Sequence, residues 1–187
     1  MRTTFRAVAL VLGLSAAGCS GRTALNEEIR GRVGDVELGR LQVYASDEIQ
    51  LWRTLRSDEP TVTARHTLRI DRDKKLEEIR FASGTPGVIL KVEKNRVQVS
   101  FEPPVDGVEV TLTFQVGWNG NKEGYYLYPD KMSETGEMMV NYAGKTYTAT
   151  AGSRMSHLEI DQDKVKASSH DVHDVPGRRI GDEPPPK

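Results

Sequence analysis

The sequence predicts an all-β fold: a single antiparallel sandwich or small barrel of roughly ten short strands, with a disordered C-terminal tail. Three observations predict it. Apolar residues recur with period two along most of the middle of the chain. Turn-forming pairs and glycines interrupt these runs at close, regular spacing. No stretch carries a convincing amphipathic helical period.

Residues 1–18 stand apart. Arg2 and Arg6 give a positive start, Ala7–Leu14 a short apolar core, and Ser15–Gly18 a small-residue exit. This is the layout of an export signal, too short to cross a bilayer, which takes about 20 apolar residues. The single cysteine of the chain, Cys19, follows at once. The stretch Ala16-Ala17-Gly18-Cys19 resembles the lipobox of bacterial lipoproteins, departing from it in having Ala16 where leucine is usual. The resemblance covers only the first twenty or so residues. It implies cleavage before Cys19, acylation of that cysteine, and a membrane anchor; Ser20, not being aspartate, implies outer-membrane traffic facing the periplasm. Several acyl chains are what stable anchoring requires. The rival is ordinary cleavage after an A-x-A-like site, which would release a soluble protein.

Residues 19–38 are polar and glycine-containing and read as the lipidated N-terminus and a tether. The all-β domain is expected over 39–161. Its clearest strands are VTARHTLRI (62–70), with Val62, Ala64, His66, Leu68 and Ile70 on one face, and VEVTLTFQV (108–116), with Val108, Val110, Leu112, Phe114 and Val116 on one face. RVQVSF (96–101) alternates likewise. LQVYA (41–45) and EIQLWR (48–53) flank the turn pair Ser46-Asp47. LEEIRFA (76–82) precedes the turn Gly84–Gly87, and VILKV (88–92) leads through Glu93-Lys94-Asn95 into 96–101, a hairpin with Asn95 available for a left-handed conformation. MMVNY (138–142), Ala143-Gly144 and KTYTAT (145–150) form a late hairpin, and HLEI (157–160) a last strand. Residues 162–187 hold few large apolar groups and end in three prolines, so burial cannot offset their ordering entropy.

Composition narrows the partners. The chain has 26 basic and 27 acidic residues, and the signal removes two arginines, so no basic excess points to nucleic acid. With Cys19 acylated, no thiol remains for a disulfide or a metal. The local signatures of serine hydrolases, zinc proteases and P-loop enzymes are missing. No cofactor is expected.

A few residues carry candidate chemistry. His170 and His173 in HDVHD have metal-ligand chemistry but lie in the polar tail, where a solvated charge run is the simpler reading. His66 is a buried acid or base, or more commonly a core histidine with one hydrogen bond. Asp71 and Asp73 lack the glycine of a calcium loop and read as a polar turn. Glu77, Glu78 and Glu102 are carboxylates with nothing to pair them. In GWNGNKEGYYLYP (117–129), Trp118, Tyr125, Tyr126 and Tyr128 surround a glycine-rich loop and form the candidate binding cluster, since aromatic faces beside polar groups stack on sugars or anchor proteins. Core packing of alternate tyrosines is the plainer account.

The expectation is a non-catalytic, membrane-anchored envelope lipoprotein whose β domain binds an envelope protein or cell-wall glycan. The alternative is a barrel that carries a lipid or other apolar ligand in its interior. A hydrolase with a dispersed site ranks last.

Overall fold

Alternating strands place one face of each against a shared interior, and this chain meets that demand with two antiparallel sheets. The computed structural model describes residues 21–56, 66–71, 74–104, 107–118, 120 and 123–168. The chain opens with β1 (Arg22–Ala24), α1 (Glu27–Val33), α2 (Asp35–Leu38), β2 (Gln42–Ala45), β3 (Ile49–Thr54), β4 (Thr67–Asp71) and β5 (Lys74–Phe81). It continues through β6 (Pro86–Glu93), β7 (Arg96–Ser100), β8 (Leu112–Val116), β9 (Tyr125–Leu127), β10 (Lys131–Met132), β11 (Met138–Tyr142) and β12 (Lys145–Ala149). A 3-10 turn over Ala151–Met155, then β13 (Leu158–Asp161) and α3 (Gln162–Ser168), complete it.

The seven-stranded sheet runs β1-β13-β2-β6-β7-β8-β9 and the six-stranded sheet β10-β11-β12-β3-β5-β4. Neither closes, so the fold is a sandwich and not a barrel. The larger sheet nevertheless curls. Its last strand, β9, returns to the chain flanking β1 and β13 through a Tyr126–His157 bridge and hydrogen bonds from Tyr125 N to Leu25 O and from Leu127 N to Ser156 O. Val43, Val97, Val99, Leu112 and Phe114 of one sheet and Ile49, Leu51, Ile79, Val140 and Tyr142 of the other belong to one buried core. Phe101 couples the layers, with its ring 5.4 Å from Phe81 and 5.9 Å from Phe114. Gly87 permits this approach, because a Cβ there would lie 2.6 Å from Val99 Cγ1 and 2.8 Å from the Phe101 ring.

Two boundaries need correction. The expected tether over 19–38 is folded from residue 21: β1 pairs with β13, and Leu25, Ile29, Val33 and Leu38 are buried. The helical signal is present but brief. Asn26 caps α1 through its side chain, which accepts from Ile29 N at 2.9 Å, and Ile29 and Val33 share the buried face. The expected disorder from residue 162 does not hold for Gln162–Ser168, which is helical and buries Val165. Residues beyond 168, including His170 and His173, lie outside the described residues, as do Cys19, Val62, Ala64 and Asp73.

Among the described residues there are thirteen strands where roughly ten were expected, because β1, β9 and β10 are too short to show a period. The strand expected over 62–70 is seen from Thr67, and two residues of its apolar face are outside the core: Leu68 is 37% and Ile70 71% exposed. β4 is an edge strand, so its inward face overhangs the interior. The strand expected over 108–116 is confined to Leu112–Val116. Val108 is exposed, while Val110 is buried in its expected sense. The chain bends at Ser46-Asp47 and turns at Ser83-Gly84, with Pro86 and Gly87 of the expected turn opening β6 instead, and each of the two bends passes the chain from one sheet to the other. The hairpins β6–β7 and β11–β12 form as expected. Among the described residues the left-handed non-glycine residue is Ala143, not Asn95: Ala143 (φ 49°) and Gly144 (φ 72°) both take the positive φ of a two-residue type I′ turn.

Candidate functional site

The four aromatics singled out in the sequence do not form one platform. Neighbouring residues of a strand point to opposite faces, so Tyr125 and Tyr126 part company. Tyr125 is fully buried; its hydroxyl donates to Glu27 and accepts from Arg30 Nη1 at 2.8 Å. Burial pushes its pKa up to about 12, and the Glu27 acceptor adds to that. Arg30 is itself buried, holding Asp35 with two hydrogen bonds (2.8 and 3.1 Å) and donating to Lys94 O. Tyr125 therefore locks α1 to the sandwich. Tyr126 packs on the His157 ring at 5.2 Å. Trp118 and Tyr128 do meet, edge to face at 5.7 Å, with Arg154 5.0 Å over Trp118 and Arg96 5.1 Å over Tyr128. This half-buried pair is already occupied by guanidinium groups.

The three carboxylates are dispersed. Glu102 accepts from the Tyr142 hydroxyl at 2.5 Å. Glu77 is wholly buried on β5, contacting Arg53 Nε at 2.5 Å, His66 Nδ1 at 2.6 Å and Lys145 Nζ at 3.9 Å. Burial pushes its carboxyl up, but the His66 and Arg53 hydrogen bonds and the Arg53 and Lys145 charges outweigh it, and the group lies below the ordinary carboxylate value. A carboxylate accepts only, so His66 Nδ1 carries the proton between them. His66 is thus a buried histidine with a satisfied hydrogen bond. The nearby Tyr147 hydroxyl, beside Arg53 and Glu77, has no partner of hydrogen-bonding geometry, and burial pushes its pKa up to about 12. A carboxylate held ionised by the Arg53 and Lys145 charges and the His66 N–H is a poor acid and a weak base, and this cluster organises the interior.

The open chemistry lies on the outer face of the six-stranded sheet. On β3, Ile49 and Leu51 point inward, and Gln50, Trp52 and Thr54 outward. The register sets Trp52 between Glu78 of β5 and Thr148 of β12. Two surface hollows meet there, of about 440 Å³ and about 260 Å³, both lined by Trp52 and Thr150. The larger contains Gln50, Arg69, Lys74 and Glu78; the smaller contains Glu137, Thr148 and Arg154. Glu78 is held by Gln50 Nε2 at 2.6 Å and approached by Arg69 at 3.8 Å. Among the described residues, neither Lys74 nor Arg154 has a carboxylate partner, and no ring or guanidinium stacks on Trp52. Trp118, through Arg154, supports one end of this groove.

Sequence reasoning passed over Trp52 because one tryptophan in a half-buried strand looks like packing. The signal was Gln50-x-Trp52-x-Thr54, a polar–aromatic–polar outer row. A further hollow of about 460 Å³ lies on the other sheet, lined by Pro86, Val88, Leu90, Phe101, Pro103 and Pro104. Among the described residues there is no cluster of metal-ligating side chains, and no helix is long and apolar enough to cross a membrane. Comparison with protein-family models, with curated proteins and with solved structures gives no match.

Proposed function

We propose that this chain is a non-catalytic envelope lipoprotein: Cys19 carries the acyl anchor, and the sandwich binds a partner through the Trp52 groove. The observation that carries the binding reading is the groove itself, where a half-buried indole with no ring or guanidinium stacked on it among the described residues lies between polar side chains that converge from four strands and the turn after β12. The anchor rests on the lipobox resemblance at Cys19. Because Arg22 is already paired in β1, only Ser20 and Gly21 separate that cysteine from the folded domain. A short extended link of this kind spans roughly 10 Å, so an acylated Cys19 holds the domain at the bilayer surface. The groove belongs to the other sheet from β1. The carrier alternative needs an interior cavity, whereas here Phe81, Phe101, Phe114 and Tyr142 pack against one another between the sheets.

Two measurements test this reading. Cys19→Ser is expected to move the protein from the membrane fraction to the soluble one with an unchanged urea midpoint; continued sedimentation with membranes overturns the anchor. A photo-crosslinking residue in place of Thr54, at the groove rim, is expected to give a covalent adduct in whole cells. Absence of any adduct overturns the binding face.

A further inference from the structure

The composition of the groove identifies its ligand class. A lipid chain needs a continuous apolar lining, but here polar and charged side chains flank Trp52 on both sides. A peptide added as a strand needs a free sheet edge, but β3 is paired on both sides, with β5 and β12. What remains is one aromatic face within a rim of hydrogen-bonding groups: Gln50, Thr54, Thr148 and Thr150. That pattern matches a pyranose ring, with its apolar C–H face and rim of hydroxyls.

Charge refines the assignment. Glu78 accepts from Gln50 and is approached by the Arg69 guanidinium at 3.8 Å, whereas Glu137 accepts from the neutral Thr135 hydroxyl and keeps its charge. Lys74 lines one hollow and Arg154 the other, both exposed and both without a carboxylate partner among the described residues. The lining holds three cations, Arg69, Lys74 and Arg154, against two carboxylates, Glu78 and Glu137, and this excess of one positive charge, with Lys74 and Arg154 not paired to a carboxylate among the described residues, favours a ligand bearing anionic groups beside a sugar. We propose that the groove binds an acidic polysaccharide, one pyranose stacking on Trp52 and flanking carboxylates meeting Lys74 and Arg154. This rests on the reading of the Trp52 groove as a binding face.

The test is calorimetric titration of the full protein, extracted from its membranes in mild detergent, with oligogalacturonate and with a neutral chito-oligosaccharide of equal length. Oligogalacturonate is expected to bind, and more tightly than the neutral chain. Trp52→Ala is expected to weaken it by about tenfold or more. Lys74→Ala combined with Arg154→Ala, both surface changes, is expected to abolish the preference for the acidic chain and to flatten the salt dependence. Urea midpoints of all variants guard against misfolding, and the charge pair keeps the test open if Trp52→Ala unfolds. Equal binding of the two sugars, or binding indifferent to both sets of substitutions, overturns the proposal. Flat titrations also overturn it. If the crosslinker at position 54 then still captures a protein, the binding face survives and only the glycan assignment falls; if it captures nothing, both fall.

Discussion

At the scale of single residues, Glu77 shows how a buried charge becomes legible only through its partners. In LEEIRFA it reads as one of two ordinary surface glutamates. The β4–β5 and β3–β5 registers set it opposite Leu68 and Arg53, and its alternation with Glu78 turns it inward. Its folded pKa lies below the usual value, so the unfolded chain takes up the proton first. Its contribution to stability is therefore complete above about pH 4.5 and is lost as pH falls through the lower folded value. Glu77→Gln removes the buried carboxylate that Arg53 and His66 hydrogen-bond and is expected to cost about 3 kcal/mol at pH 7, read as a lowered urea midpoint. The variant should also lose less stability than the wild type between pH 7 and pH 3. An equal loss in both would remove Glu77 from the acid response. His66 was visible in advance as a histidine on an inward face, because a half-buried strand fixes facing without any knowledge of neighbours.

At the scale of elements, the strands were readable where they ran four residues or longer, and the short helices were not. α1 holds seven residues and α2 four, which is below what a periodic signal needs and below what a helix can sustain alone. Their stability comes from docking: Leu25, Ile29, Val33 and Leu38 are buried, and Arg30 ties α1 to Tyr125 of β9. Each such side chain is worth about 1.5–3 kcal/mol on full burial, and a domain has only about 5–15 kcal/mol to lose. Deleting residues 21–38 is therefore expected to unfold the protein, read by loss of near-ultraviolet circular dichroism and of protease resistance. A slack tether would tolerate the deletion, and retention of a native spectrum would restore that reading. The hairpin β11–β12 behaves oppositely. Its two-residue turn is local, so Ala143-Gly144 announced it in the sequence.

At the scale of the whole molecule, both ends of the described chain close one sheet, with β1 on β13 and β13 on β2. Phe101 and Phe81 join that sheet to the other. Both tryptophans sit on different sheets or their connections, Trp52 on β3 and Trp118 after β8. Urea unfolding followed by tryptophan fluorescence and by far-ultraviolet circular dichroism is therefore expected to give coincident transitions. Two separated transitions would mean that the sheets unfold independently.

The sequence alone determined the all-β class, the faces of the longer strands and two hairpins, because each depends on residues adjacent in the chain. Only the tertiary structure decided that the sheets form an open sandwich, that residues 21–38 are folded, and that Tyr125 and Tyr126 are packing residues. It alone set Trp52 among Glu78, Thr148, Lys74 and Arg154. The reason is physical: alternation states which way a side chain points, and neighbourhood depends on strand order, which is settled by burial and pairing across the whole chain.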